Sequence, residues 1–163
     1  QRAMIAMGLI NDPSLLIAAT THQALAKGEP IGRRFHSAPV VRLADAKPMQ
    51  LGHVAEADAR WRLYAFAAKS DNSAPGSAIH RLADWLETDP ASPVVRHTRQ
   101  GEDIDAVIDF RAVFQQTFDQ LAYEQMPSLL RPKTGRLGLQ DHEKVFCVDH
   151  KGAGDIFNRK SVV

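Results

Sequence analysis

The chain has 163 residues, of which 44% are hydrophobic and 24% charged, and its formal net charge at pH 7 is +1. This length allows one domain with a sizeable core, and the near-neutral charge offers no broad attraction for nucleic-acid backbones. No apolar run approaches the roughly 18 residues that a membrane-spanning helix needs, and the first residues do not form a secretory signal. The single cysteine, Cys147, cannot form an internal disulfide, which fits a reducing cytoplasm.

The first half of the sequence contains two helical and two strand patterns, separated by segments rich in Pro, Gly and Ser. In chain order we expect a helix at 14–27, an extended linker at 29–37, a short strand at 40–43, a strand at 60–67, a loop at 69–76 and a helix at 77–87. Asp12 and Pro13 suit the start of the first helix. Because the strand at 60–67 alternates its side chains, we expect it to be a central strand with Trp61 in the core.

The second half adds further strand patterns. We expect strands at 93–98, 104–113 and 143–149, a helix at 114–123 and an irregular segment at 127–139. Strands that alternate with helices indicate an α/β domain. The strand at 104–113 places Asp103, Asp105 and Asp109 on one face, opposite apolar side chains. That pattern favours a solvated outer face, and a carboxylate cluster is the alternative.

Few residues in this sequence are arranged for chemistry. Cys147 lies between Phe146 and Val148 in a predicted strand, which favours a buried, inert thiol over a nucleophile. A metal site with His142 and His150 is disfavoured, because closely paired ligands are missing and Cys147 and His150 would point to opposite strand faces. His80 lies one helical turn before Asp84, which indicates a surface pair.

Two common catalytic motifs are missing from the sequence. There is no Gly-x-Ser-x-Gly elbow of the kind that carries a hydrolase nucleophile. There is also no Gly-x-x-x-x-Gly-Lys-Ser/Thr loop to bind phosphates. The sequence therefore predicts neither of these enzyme classes.

Four segments carry a resemblance to a known family. They are 30–45, which contains Gly-Arg-Arg and a short strand, and 61–66, 104–111 and 143–146. These segments resemble the C-terminal domain of the phenol hydroxylase family of FAD-dependent aromatic monooxygenases, of the phenol or 3-hydroxybenzoate type. The resemblance extends over about residues 13–155. It implies a thioredoxin-like sheet with flanking helices.

The redox motif of thioredoxin-like proteins is absent from the expected position. In redox-active members a Cys-x-x-Cys lies where a strand turns into a helix, and the helix N-terminus lowers the thiol pKa. The corresponding junction here, 70–77, contains no cysteine. We therefore expect a redox-silent member of the fold.

The resemblance also implies a role in assembly. In the family this domain is associated with dimerisation and with packing against a catalytic part that holds FAD and uses NAD(P)H. We expect residues 1–29 to be the helical tail end of that flavin-bearing part and residues 30–163 to be the C-terminal domain. Because the sequence lacks Gly-x-Gly-x-x-Gly, we expect it neither to hold FAD nor to hydroxylate a ring by itself. The expected partners are the flavin-binding part and a second copy, in the cytoplasm, with no nucleic acid and no membrane.

The expected contacts with that part are basic. Arg33 and Arg34 follow Gly32 in the predicted linker, where guanidinium groups can make bidentate contacts with carboxylates. His36 and Arg42 flank the same segment. Aromatic side chains could anchor an interface or fill the core; they are Trp61, Trp85, Phe114 and Phe118.

Two alternatives belong to other functional classes. One is a free-standing, redox-silent thioredoxin-like protein that binds a thiol compound or another small molecule. It would use the loop at 69–77, where the N-terminus of the following helix attracts anions. The other is a pure interaction module whose partner is a protein.

Overall fold

A computed structural model of the chain describes residues 19–25 and 37–149. The strands, in chain order, are β1 (Pro39–Arg42), β2 (Pro48–Gln50), β3 (Trp61–Phe66), β4 (Ile108–Phe114), β5 (Lys133–Thr134), β6 (Leu139–Gln140) and β7 (Val145–Val148). The α-helices are α1 (Ala78–Thr88) and α2 (Pro93–His97). Short 3₁₀ helices span Thr20–Leu25, Leu51–His53, Phe118–Gln120, Tyr123–Gln125 and Ser128–Leu130.

Five strands form a mixed sheet in the order β2-β1-β7-β4-β3. β3, β4 and β7 are parallel, with Leu63 opposite Phe110 and Val113 opposite Phe146. β1 runs antiparallel to both β7 and β2. Parallel neighbours need a crossover, and α1 and α2 lie in the one that joins β3 to β4. This arrangement is consistent with a thioredoxin-like fold and confirms the predicted α/β class.

Both faces of the sheet carry apolar packing. The larger cluster joins the buried side of α1 to Phe110 and Phe114 of β4. The smaller cluster, on the opposite face, includes Val113 and Phe146. Since side chains alternate along a strand, β4 is buried on both faces and forms the centre of the domain.

The sequence explains why α1 begins and ends where it does. Ser77 caps its start, since its side chain accepts a hydrogen bond from the His80 backbone N–H. Ile79, Ala83 and Leu86 follow at helical spacing and are buried. Burying each larger side chain contributes roughly 1.5–3 kcal/mol. Asp89 ends the helix in an extended conformation, as expected before a proline. The predicted helix at 77–87 is confirmed.

Two predicted elements were wrong. The segment predicted as a strand at 93–98 is α2, because Ser92 accepts a hydrogen bond from the Val95 N–H at 3.1 Å and Pro93 occupies the first turn. The predicted helix at 114–123 is absent: β4 continues through Phe114, and a 3₁₀ turn capped by Thr117 follows.

The position of β3 also differs from the expectation. Among the described residues it is an edge strand, since β4 is its one neighbour in the sheet there, and Trp61 is 56% exposed. Of the predicted helix at 14–27, the described part is the 3₁₀ helix Thr20–Leu25. The linker predicted at 29–37 lies outside the described residues, apart from its last position.

Within residues 19–25 and 37–149, no helix is both long enough and apolar enough to cross a membrane.

Candidate functional site

The loop between β3 and α1 is the position where a redox-active relative of this fold would carry its cysteines. Here Asp71 occupies it, buried, with one carboxylate oxygen 2.8 Å from the Ile79 N–H and the other 2.9 Å from the Ser73 N–H. Burial raises the pKa of Asp71, but the backbone hydrogen bonds outweigh that effect and hold the pKa below its ordinary value. The protein's own carboxylate thus fills the anion position at the start of α1.

This arrangement does not fit a flavin pyrophosphate. A phosphate at the N-terminus of a helix needs free N–H groups and the absence of competing negative charge. At the start of α1 the Ile79 N–H already donates to Asp71, whose negative charge would repel a phosphate. The Asp71 carboxylate would also weaken the binding of a thiolate or another small anion at this loop, which is the binding expected if the chain were a free-standing thioredoxin-like protein.

His80 connects this loop to α1. Its Nδ1 lies 3.3 Å from the Ser73 carbonyl oxygen, and its Nε2 lies 4.0 Å from an Asp84 carboxylate oxygen. The predicted pair of His80 with Asp84 is therefore present at long range. Ser73 is buried and adopts a left-handed backbone conformation, with φ of 62°, which the neighbouring hydrogen bonds to Asp71 and His80 hold in place.

A group of charged side chains with a buried centre lies on the face of the sheet opposite α1, and we call it the ion cluster. Its members are Asp58, Arg60, Arg62, Asp105, Asp109, Arg111, Asp141 and Lys144. At its centre the Lys144 ammonium lies 2.6 Å from carboxylate oxygens of both Asp105 and Asp109. All three of these residues are buried.

The remaining cations complete the ion cluster. The Nε atoms of Arg111 and Arg62 lie 2.8 Å and 2.9 Å from Asp109, and Arg60 lies 3.0 Å from Asp105. Burial raises the pKa of Asp109, but Lys144 and Arg111 outweigh that effect, and the pKa lies below its ordinary value. Four carboxylates thus meet four cations. A carboxylate held charged in this way is unsuited to general acid–base chemistry at neutral pH.

The prediction that Asp103, Asp105 and Asp109 form a solvated outer face was wrong for two of the three residues. Asp105 and Asp109 are buried, and the carboxylate-cluster alternative is correct for these two. Asp103 is exposed and accepts a hydrogen bond from the Gly135 N–H at 2.8 Å. No local sequence pattern signals the ion cluster, because its cations come from three separate segments.

Cys147 lies in β7 and is fully buried. Burial raises the pKa of its thiol to about 12, so almost no thiolate exists near neutral pH. The prediction of an inert thiol is confirmed. Across the described ranges, no group of three or more His, Cys, Asp and Glu side chains is arranged to hold a metal ion; His150 lies outside them. His142 packs against the Tyr123 ring, with centroids 5.1 Å apart.

Arg42 is the one predicted interdomain contact that the described residues include. Its guanidinium lies 2.6 Å from Asp45 and 2.5 Å from Glu143. The hydrogen bond from Arg42 lowers the pKa of Asp45 to about 2. Arg42 therefore ties β1 to the residues that precede β7. The other predicted contacts, Arg33, Arg34 and His36, lie outside the described residues.

A groove of about 500 Å³ lies beside the C-terminal end of α1. Several polar groups of its lining are engaged within the domain: Ser128 donates to Glu87, and Arg131 donates to the Met126 carbonyl at 2.7 Å. The groove carries both acidic and basic side chains.

Five large apolar side chains are exposed on β3 and α1, and we call four of them, all except Phe66, the tryptophan surface. They are Trp61, Leu63, Leu82 and Trp85, with exposed fractions of 56%, 38%, 36% and 43%. Of the other predicted anchors, Phe114 is buried in the core and Phe118 is partly exposed. The expectation that Trp61 belongs to the core was wrong, because β3 lies at the edge of the sheet.

Comparison with known proteins agrees with an assembly role. Residues 10–162 match the family described as "Phenol hydroxylase, C-terminal dimerisation domain". The chain is 53% identical over 151 residues to 3-hydroxybenzoate 4-monooxygenase of Comamonas testosteroni, an alignment that covers 92% of this chain and 24% of that protein. It is 25% identical over 150 residues to the FAD-dependent monooxygenase terD of Aspergillus terreus, covering 90% of this chain and 24% of that one.

The chain thus spans about 24% of the length of the curated relatives that it matches. The resemblance first seen in four short segments of the sequence extends over almost all of it. This chain belongs to the phenol hydroxylase C-terminal dimerisation domain family.

Proposed function

We propose that this chain is the dimerisation domain of an FAD-dependent aromatic-ring hydroxylase and supplies assembly rather than chemistry. The observation that carries the proposal is the family match over residues 10–162. The tryptophan surface supports it, because exposed aromatic side chains are typical of protein interfaces.

The chemistry of the described residues also supports the proposal. The groups most suited to catalysis are each engaged or masked within the fold. The Cys147 thiol is buried with a raised pKa, the Asp71 carboxylate caps α1, and the ion cluster is balanced. None of these is available to a substrate.

The catalytic step is proposed to belong to a part of the protein that precedes this domain. That part would bind FAD and take electrons from NAD(P)H to hydroxylate a ring of the phenol or 3-hydroxybenzoate type. The names of the relatives support FAD and 3-hydroxybenzoate, and the family description supports phenol. Residues 1–29 would be its tail end, and Arg33, Arg34, His36 and Arg42 would contact it. We place the protein in the cytoplasm, since its single cysteine needs no oxidising compartment.

Sedimentation equilibrium of the 163-residue chain tests the assembly role. We expect a mass of twice 18.0 kDa at micromolar concentration, and a chain that stays monomeric up to about 100 μM would contradict the proposal. With added FAD, NADPH or NADH, and 3-hydroxybenzoate or phenol, we expect no substrate-dependent oxidation of the nicotinamide. Such turnover would show that the chain is itself the enzyme.

An immunoblot of the source cells tests the preceding part. An antibody raised against this chain should detect a protein several times larger than 18.0 kDa. A band at 18.0 kDa would instead favour the free-standing alternative, for which saturable binding of glutathione, sensitive to changes in the loop at 69–77, is the direct assay.

A further inference from the structure

The pairing of β1 with β2 continues past the ends of the two strands. In register with that pairing, and directly beyond it, Ser37 lies against Gly52. Next to this pair the Leu51 N–H donates to the Ala38 carbonyl oxygen at 2.9 Å, and both of these side chains are fully buried. The hairpin therefore reaches back to the first residue of the described range 37–149.

The Ser37 hydroxyl ties this end of the hairpin together. Its Oγ donates to the Gln50 side-chain oxygen at 3.1 Å and accepts a hydrogen bond from the Gly52 N–H at 3.3 Å. Gln50 ends β2, and Gly52 lies in the 3₁₀ helix that follows it. One side chain thus holds the start of this range to two consecutive elements.

Gly52 is the residue that lets Ser37 come so close. A Cβ atom at position 52 would lie 2.8 Å from the Ser37 Cβ and 3.0 Å from its Cα, whereas carbon atoms in contact prefer about 3.5–4.0 Å. The φ of Gly52 is not positive, so the approach of the two backbones, and not an unusual conformation, requires glycine here. Any larger residue would push Ser37 away from its partners.

We propose that the Ser37–Gly52 contact is an anchored joint, the fixed point from which the flavin-bearing part is tethered to this domain. The inference rests on the proposed function, and it adds where that part is attached. Among the described strands, β2 and β3 lie at opposite ends of the sheet, four strand spacings or roughly 19 Å apart. The tether therefore leaves the domain at the β2 end of the sheet.

The joint also limits the length of the tether. If the contact opened, Ser37 and Ala38 would join the free segment, and each residue of an extended chain adds about 3.3–3.6 Å. The closed contact thus removes about 7 Å of slack between the two parts. A short, fixed tether favours one relative placement of the parts over many, because it raises the effective concentration of one at the other.

Limited trypsin digestion of the 163-residue chain under native conditions tests this proposal. Cleavage after Arg34 requires several residues on each side of the bond to enter the protease, and Ser37 is the third residue beyond that bond. The cleavage rate follows the population of the opened form. We expect Gly52→Ala to increase the rate of cleavage after Arg34 at least about five-fold, measured by mass spectrometry, and an unchanged rate would overturn the proposal.

A second variant and a matched control complete the test. If Gly52→Ala fails to fold, Ser37→Ala takes its place, since it removes both hydrogen bonds of the hydroxyl; we expect at least about a two-fold increase. The control is Ile79→Val, which loosens the core at α1 without touching the joint. It should leave cleavage after Arg34 within about two-fold. Equal acceleration by Ile79→Val would show that the bond is exposed only by unfolding of the whole domain, and would overturn the joint.

The outcomes separate this inference from the proposed function. Unchanged cleavage in Gly52→Ala, with a wild-type chain that dimerises, would overturn the joint and leave the assembly role standing. A wild-type chain that stays monomeric would overturn the assembly role, while faster cleavage in Gly52→Ala would still support the joint. An immunoblot band at 18.0 kDa would remove the preceding part, and with it the tether.

Discussion

The Lys144 ammonium lies 2.6 Å from an Asp109 carboxylate oxygen, and both side chains are almost fully buried between the strands β4 and β7. Taking one such charge out of water costs several kcal/mol unless its partner compensates for it. Each of the two charges is therefore tolerated in the interior only while the other is present. Asp109 also forms ion pairs with Arg62 and Arg111.

Removing the Asp109 charge should destabilise the domain strongly. Asp109→Asn preserves the shape of the side chain but leaves Lys144 and two arginines with one carboxylate fewer. We expect the free energy of unfolding to fall by about 3–5 kcal/mol, measured by urea denaturation. Asp84→Asn, at an exposed position of α1, is the matched control and should change it by less than about 0.5 kcal/mol. Equal effects of the two variants would show that the ion cluster contributes nothing.

The domain should lose stability in acid. The pKa values of Asp109 and Asp45 lie below the ordinary value of 3.8, that of Asp45 at about 2. A carboxylate with a depressed pKa stabilises the folded state above its unfolded pKa, and this contribution is lost as the pH falls through the folded pKa. We expect the urea midpoint to decrease below about pH 4 and to continue decreasing toward about pH 2. Asp109→Asn should show a shallower decrease, and a midpoint that rises in acid would contradict the linkage.

The contribution of Asp71 to the stability of the domain should be measurable separately from that of the N-cap residue Ser77. Asp71→Ala removes the acceptor for the Ile79 and Ser73 N–H groups, and we expect a loss of about 0.5–2 kcal/mol in the free energy of unfolding. The neighbouring Asn72, which is exposed and accepts a longer hydrogen bond at 3.2 Å, is the control. Asn72→Ala should cost less than Asp71→Ala, and the reverse order would count against the capping role.

Thiol labelling should report on unfolding. Because Cys147 is buried and its pKa is raised to about 12, we expect iodoacetamide to modify the native chain far more slowly than the urea-unfolded chain. The two rates are compared by mass spectrometry at neutral pH. Rapid labelling of the native chain would mean that β7 opens readily in solution.

Local patterns in the sequence were sufficient for several elements. The helical spacing of Ile79, Leu82, Ala83 and Leu86 predicted α1, although Leu82 proved to be exposed. The apolar runs around Val40 and Val145 predicted β1 and β7. In each case neighbouring residues determine the element. The 93–98 segment shows the limit of this approach: its two valines favour a strand, but the Ser92 cap and Pro93 start a helix.

The ion cluster and the tryptophan surface could not be predicted in the same way. Whether Asp109 is solvated depends on strands that pack on both sides of β4, and its partner Lys144 is 35 residues away. Whether Trp61 is buried depends on the place of β3 in the sheet. Strand order is a property of the whole fold, and alternation within one strand does not encode it.

Within residues 37–149, the last strand along the chain is β7, and it occupies the middle of the sheet between β1 and β4. Val41 in β1 can pair with Cys147 only after all the residues between them have been synthesised. During translation, strand β7 must therefore emerge from the ribosome before the β1–β2 hairpin can join the β3–β4 pair. A premature stop codon before β7 would leave two separate half-sheets with exposed edges, a species prone to aggregation and proteolysis.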